Sequence, residues 1–129
     1  MKRSVREKFL PVSDQMKAWS SALATEFDDW PQVTQKSFFG FTALYRGKRI
    51  FGLLPRTKSV FRTNAVAFRF ESLSPGVKPL LAKDLRVAAF DKNKTRWFTF
   101  DLSSDSDLHD ALDYLGRAFD AARSARQTK

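Results

Sequence analysis

The sequence predicts an α+β fold, a mostly antiparallel sheet with an N-terminal and a C-terminal helix packed on it. Three observations lead there. Apolar residues recur at helical spacing near both ends of the chain, and apolar and polar residues alternate through its middle. Gly47-Lys48 and Asp91-Lys92-Asn93-Lys94 break that middle into hairpins, which pair strands antiparallel over short connections.

Taken in order, Ser13 is the expected N-cap of the first helix, and Met16, Trp19, Leu23, Phe27 and Trp30 form its apolar stripe. Pro31 disfavours helical geometry at the residue before it, so the helix should end near Asp29. Residues 34–39 and 41–45 read as extended, with Gly40 as a bulge or bend. Gly47-Lys48 suits a two-residue type II′ turn returning through 50–54, which Pro55 closes. Residues 60–61 and 66–70 are further short strands, separated by a turn at Thr63-Asn64. Pro75, Gly76 and Pro79 allow only a short helix over 79–83. Residues 86–90 and 95–102 then make the second hairpin. The final helix is capped by Ser104 or Ser106 and carries Leu108, Leu112, Leu115, Phe119 and Ala122 on one face. Asp105, Asp107 and Asp110 near its start and Arg117, Arg123 and Arg126 near its end suit the helix dipole. Gly116 inside that helix costs about 1 kcal/mol relative to Ala, which suggests a close approach of the sheet there.

A chain of 129 residues suits one domain, here 1–129, with residues 1–12 as a flexible basic N-terminal segment and 124–129 as a flexible tail. A composition of 43% hydrophobic residues with thirteen Phe excludes the disordered class. The absence of cysteine excludes disulfides and thiolate chemistry, and an intracellular, cytoplasmic protein is the simplest reading. No apolar run approaches the ~20 residues that span a bilayer, and the opening MKRSVREKFLPV has no signal-like apolar stretch, so no membrane partner is expected.

Charge is distributed unevenly. Between Lys36 and Arg96, fourteen Lys and Arg face three acids, Glu71, Asp84 and Asp91, whereas outside that window acids outnumber cations eleven to nine. The run from Arg46 to Arg62 holds Arg46, Lys48, Arg49, Arg56, Lys58 and Arg62 without a carboxylate, and Lys92, Lys94 and Arg96 flank the second hairpin. Such a surface raises the local concentration of a polyanion. Aromatics alternate with these cations, as in proteins that stack bases and hold phosphates. The same alternation arises in any antiparallel sheet with one buried face.

Catalytic and metal motifs are missing from the sequence. His109 is the only histidine and is expected to face solvent on the last helix; it has no partner at metal-ligand spacing. The acids of Asp101 to Asp107 alternate as in a calcium loop but lack its turn glycine and twelfth-position Glu, so they read as a helix start. Gly40, Gly47 and Gly52 do not make a phosphate-binding loop. Glu26, Asp28 and Asp29 read as solvated. No cofactor and no enzymatic activity are expected.

Phe38-Phe39-Gly40-Phe41, followed by the run from Ala43 to Leu54 with its Tyr45-Arg46-Gly47-Lys48-Arg49-Ile50-Phe51-Gly52-Leu53 core, resembles the hairpin shared by the N-terminal domain of TfoX-type competence regulators and the MmcQ/YjbR-like proteins. The strand Arg96-Trp97-Phe98-Thr99-Phe100-Asp101-Leu102 leading into the last helix is similar to the end of the YjbR pattern. The resemblance implies a bacterial cytoplasmic α+β domain of a group proposed to bind DNA, with no enzymatic residues to carry over. The chain departs from it between Pro75 and Pro79 and in its strongly basic strand ends.

The functional expectation is a non-enzymatic module that binds an anionic partner, nucleic acid first. Its candidate residues are Arg46, Lys48, Arg49, Arg56, Lys58, Arg62, Lys92, Lys94 and Arg96. The alternative is a protein-interaction or small-ligand module, or a homodimer, using an aromatic groove between sheet and terminal helices; the surplus of aromatics motivates it, with Trp19 and Trp30 as the residues to watch.

Overall fold

Helix α1, Asp14–Phe27, begins where the Ser13 hydroxyl accepts the Met16 N–H at 3.0 Å. This is the expected cap, and it satisfies one of the orphan donors of the first turn. Met16, Trp19, Leu23 and Phe27 line its buried stripe. The computed structural model describes residues 12–58, 64–73, 75–89 and 96–123. Of the N-terminal segment expected over 1–12, only Val12 is described, and it is buried in the core; 1–11 and 124–129 lie outside the described residues.

Among the described residues six strands follow: β1 Val33–Phe38, β2 Phe41–Arg46, β3 Arg49–Pro55, β4 Ala65–Arg69, β5 Val87–Ala89 and β6 Trp97–Asp101. They form one sheet in the order β1-β2-β3-β4-β6-β5, antiparallel throughout. Helix α2, Val77–Lys83, precedes β5, and α3, Asp107–Ala121, follows β6. The predicted α+β architecture is therefore present. The short strand expected at 60–61 lies outside the described residues.

Of two tight turns, one matches the sequence expectation and the other departs from it. At Gly47 φ is +61° and Lys48 stays out of the left-handed region, the pattern a type II′ turn requires. Gly40, expected as a bulge, instead closes a two-residue hairpin with Phe39, in which Phe38 pairs with Phe41. Both central residues are left-handed, Phe39 at φ +45° and Gly40 at +89°, as in a type I′ turn. The bulge falls elsewhere: Leu44 faces Gly52 while Tyr45 faces Ile50, so Phe51 is the extra residue. It turns into the core, with its ring 5.7 Å from Phe27 and 5.5 Å from Phe119.

Helices α1 and α3 lie on β3 and touch each other. Between them and the sheet sit Phe27, Phe51, Phe68, Phe70, Phe100 and Leu115, all nearly inaccessible. Tyr114 of α3 stacks on Phe68, centroids 5.3 Å apart and planes 5° from parallel. The close approach of α3 to the sheet occurs at Gly52, where a Cβ would lie 2.7 Å from Leu115 Cδ2. Gly116, expected to make that approach, faces Trp30 instead, at 3.0 Å from the indole. The cap of α3 also differs from expectation. Ser106 makes no side-chain cap bond, and Asp107 reaches back to accept the N–H groups of Ser103 at 2.7 Å and Ser104 at 3.2 Å.

Candidate functional site

The antiparallel order decides where the basic residues go. The end of β2, the start of β3, the end of β4 and the start of β6 share one end of the sheet, since Arg46 pairs with Arg49 and Arg69 with Trp97. The described carboxyl-terminal end of α3 arrives there too. Arg46, Lys48 and Arg49 therefore stand together with Arg69, Arg96 and Arg123 at this end. Arg56 and Lys58 do not. They follow β3 at the opposite end of the sheet, roughly 20 Å away at ~3.3 Å per strand residue. The acid-free run read as one cluster in the sequence is thus two patches. Of the remaining candidates, Arg62, Lys92 and Lys94 lie outside the described residues. The strands flanking the second hairpin bring Arg96 to the Gly47 end, where its carbonyl accepts the Phe70 N–H at 2.9 Å.

An open cleft of about 700 Å³ lies at this end, lined by Gln32, Thr34, Arg46, Lys48, Arg49 and Arg123 among others, with no carboxylate among the described residues of its lining. Arg46 forms its rigid wall. Its Nε donates to Gln32 Oε1 and its Nη1 to the Phe119 carbonyl, both at 2.9 Å, and the guanidinium lies 4.2 Å over the Phe119 ring. The Phe119 carbonyl belongs to the last turn of α3, where the helix dipole is negative, so part of the Arg46 charge is spent on the fold. Lys48 is exposed on the turn.

Beside the cleft, Glu71 gathers three arginines. Arg49 lies 2.6 Å from it and Arg96 4.0 Å, and Arg69 pairs with its other oxygen. The Arg69 hydrogen bond, more than any other influence, holds the Glu71 carboxyl below its ordinary value. One carboxylate cannot neutralise three guanidiniums, so the group presents a net positive surface with donors already aligned on an anion. Arg69, Glu71 and Arg123 were not among the candidate site residues read from sequence. The signal that pointed to the first was the absence of any Asp or Glu between Asp29 and Glu71.

A second polar cluster joins α2, β5 and α3. Arg86 donates through Nε and Nη2 to the two oxygens of Asp84, both at 2.9 Å, and through Nη1 to Asp107 at 2.8 Å; Asp110 lies 3.0 Å away. Arg86 also covers the Phe100 ring at 4.7 Å, and the Tyr114 hydroxyl donates to Asp84 at 2.8 Å. The forked Arg86 bond is the main reason the Asp84 carboxyl falls to about 2. Burial, then the Asp84 bond, pushes the Tyr114 phenol up. Every member is engaged by another, which makes this a clamp of the fold. Among the described residues no group of three His, Asp or Glu is placed to hold a metal ion.

The aromatics sort differently from expectation. Trp19 is 3% exposed and its Nε1–H donates to Asp105 Oδ1 at 2.8 Å, and Trp30 packs on Phe27 and Phe119. Neither forms an open aromatic patch. Among the described residues the exposed rings are Phe38 and Phe39. An apolar groove of about 480 Å³, lined by Leu73, Leu81, Val87, Ala89 and Phe98, lies beside the short helix α2 and not between the sheet and the terminal helices. His109 is exposed on α3, as expected, and borders a depression next to Trp30. No helix among the described residues is long and apolar enough to cross a membrane.

Comparison of the chain with known protein families, curated proteins and solved structures returns no match.

Proposed function

We propose that this protein is a non-enzymatic module that binds a polyanion, nucleic acid first, at the Gly47 end of its sheet. The observation that carries the reading is the cleft lined by Arg46, Lys48, Arg49 and Arg123, without a carboxylate among its described residues, adjoining the Arg49, Arg69 and Arg96 group on Glu71. Cations fixed on strand ends and aimed at open space match the spaced charges of a phosphate backbone, and their pre-organisation lowers the entropy cost of binding. Membership of the MmcQ/YjbR-like group, supported by the hairpin residues that build β2 and β3, forms part of the same proposal.

The test is a salt titration of oligonucleotide binding by fluorescence anisotropy. With four phosphates neutralised, log K falls against log salt with a slope of about −3 to −4. No binding at low salt removes the proposal.

The groove beside α2 favours a second reading, the binding of a small apolar ligand, because Leu73, Leu81, Val87 and Phe98 offer it an apolar lining. Thermal stabilisation by aliphatic or aromatic probes, abolished in Ala89→Trp, checks it.

A further inference from the structure

The hairpin turn at Phe39-Gly40 is built against the grain of its sequence. Phe39 adopts φ +45°, a region that a bulky side chain rarely enters, and its side chain is 78% exposed. The residue that stability favours at this place is Asn, since Asn-Gly is the preferred pair of a type I′ turn. A large aromatic there costs both backbone strain and apolar exposure, and strain of this kind gathers where a side chain has to be held in a particular place.

The tip is also firmly mounted. The Gly40 carbonyl accepts the N–H groups of Arg56, Thr57 and Lys58 at 3.0, 2.9 and 3.3 Å. A Cβ on Gly40 would meet Lys58 Cγ at 2.8 Å, so the segment after β3 lies directly against the turn. Arg56 donates to Ser37 Oγ at 2.9 Å. The Phe38 ring supports Phe39 with centroids 4.9 Å apart and planes at 71°. Phe39 is thus propped on one side, open on the other, and bordered by Arg56 and Lys58.

We propose that the Phe39 tip is a base-stacking site for single-stranded nucleic acid, with Arg56 and Lys58 taking the adjoining phosphates. This rests on the polyanion reading above, adds to the Gly47 end a second contact at the opposite end of the sheet, roughly 20 Å away at ~3.3 Å per strand residue, and narrows the partner to one with unpaired bases. The tip, with Phe38 and Phe39 as its exposed large apolar side chains, is far smaller than the ~800 Å² per partner that a stable protein interface buries. One ring with a cation beside it is enough for a base and its phosphate. The segment from Pro31 to Phe70 that builds the tip holds no Asp or Glu, so nothing within it repels that phosphate. Edge-to-edge pairing of β1 with a second copy is opposed by Lys36, which charges the outer strand.

The test compares a single-stranded oligonucleotide, its duplex and heparin, a polyanion without bases, on wild type, Phe39→Asn and Phe39→Tyr. Phe39→Asn is expected to weaken single-strand binding about tenfold, the loss of one stacked base, and to leave heparin binding unchanged. The same variant should unfold at a higher temperature than wild type, which separates a missing stack from a damaged fold. Phe39→Tyr keeps the ring and retains single-strand affinity. Wild type and Phe39→Asn that bind the single strand equally overturn the stacking site while leaving polyanion binding intact. Equal affinity of wild type for heparin and single strand overturns it too, and leaves the tip to a protein or lipid surface. A wild type that binds none of the three removes both proposals.

Discussion

Arg46 donates to the carbonyl of Phe119 at 2.9 Å while its guanidinium lies 4.2 Å over the ring of the same residue. One side chain of the β2–β3 hairpin thus satisfies the end of α3 and covers its last buried aromatic. The consequence is that Arg46 holds the candidate cleft together as well as lining it. Replacing Arg46 by Lys keeps the charge but removes the planar fork that makes both interactions. Arg46→Lys should lower stability by about 1–2 kcal/mol, read from denaturant unfolding, and should loosen amide exchange protection in the last turn of α3.

Lys48 occupies the same cleft with no such structural duty in its surface turn. Lys48→Glu takes away one cation that can neutralise a phosphate and puts a repelling charge in its place. It should reduce polyanion affinity and make the salt slope shallower by about 1, with stability within about 0.5 kcal/mol of wild type. Unchanged affinity and slope in anisotropy titrations would place the cleft outside the binding surface.

Glu71 acts in the opposite direction, as an internal anion that occupies Arg49, Arg69 and Arg96. Glu71→Gln removes a negative charge from the basic end and releases three guanidiniums for an external phosphate. Polyanion affinity should rise several-fold at low salt, and the gain should fade as salt screens it. Weaker binding by Glu71→Gln would mean that the carboxylate positions the arginines instead of competing for them.

The clamp around Arg86 makes acid stability depend on Asp84. Its carboxyl is depressed from an ordinary 3.8 to about 2, chiefly by Arg86. A depressed carboxyl stabilises the fold above its unfolded value, and the contribution disappears as pH falls through the folded value. Stability should therefore decline between about pH 4 and pH 2, by on the order of 2 kcal/mol from this group. Asp84→Asn should be less stable at neutral pH and flatter across that window, as followed by urea midpoints against pH.

Gly52 is where α3 meets the sheet. A methyl group there would lie 2.7 Å from Leu115 Cδ2 and 3.1 Å from Leu44 Cδ1, both in side chains with no accessible surface. Neither leucine has space to turn into, so Gly52→Ala should cost about 1–3 kcal/mol by overpacking, measured by thermal unfolding.

The fold class, the helices α1 and α3, the Ser13 cap and both strands of the Gly47-Lys48 hairpin are legible in the residue order, because these depend on interactions within a few residues. Helical spacing fixes which face of a helix is apolar, a cap bond spans three residues, and a II′ turn needs a glycine at its first central place. How the cations are shared follows from the pairing of distant segments. Arg46 and Arg56 are ten positions apart in one acid-free run, yet the length of β3 carries them to opposite ends of the sheet, while Arg123 joins Arg46 because α3 returns to the hairpin. The same holds for Phe39. Read alone, Gly40 suggested a bulge, and whether it bends a strand or closes a hairpin depends on which residue Phe38 pairs with across the turn. The Arg86 clamp links Asp84, Asp107, Asp110 and Tyr114 through bonds between residues up to thirty positions apart, which no local pattern encodes. Local chemistry chooses each element, and the long-range pairing of strands chooses which charges and rings meet.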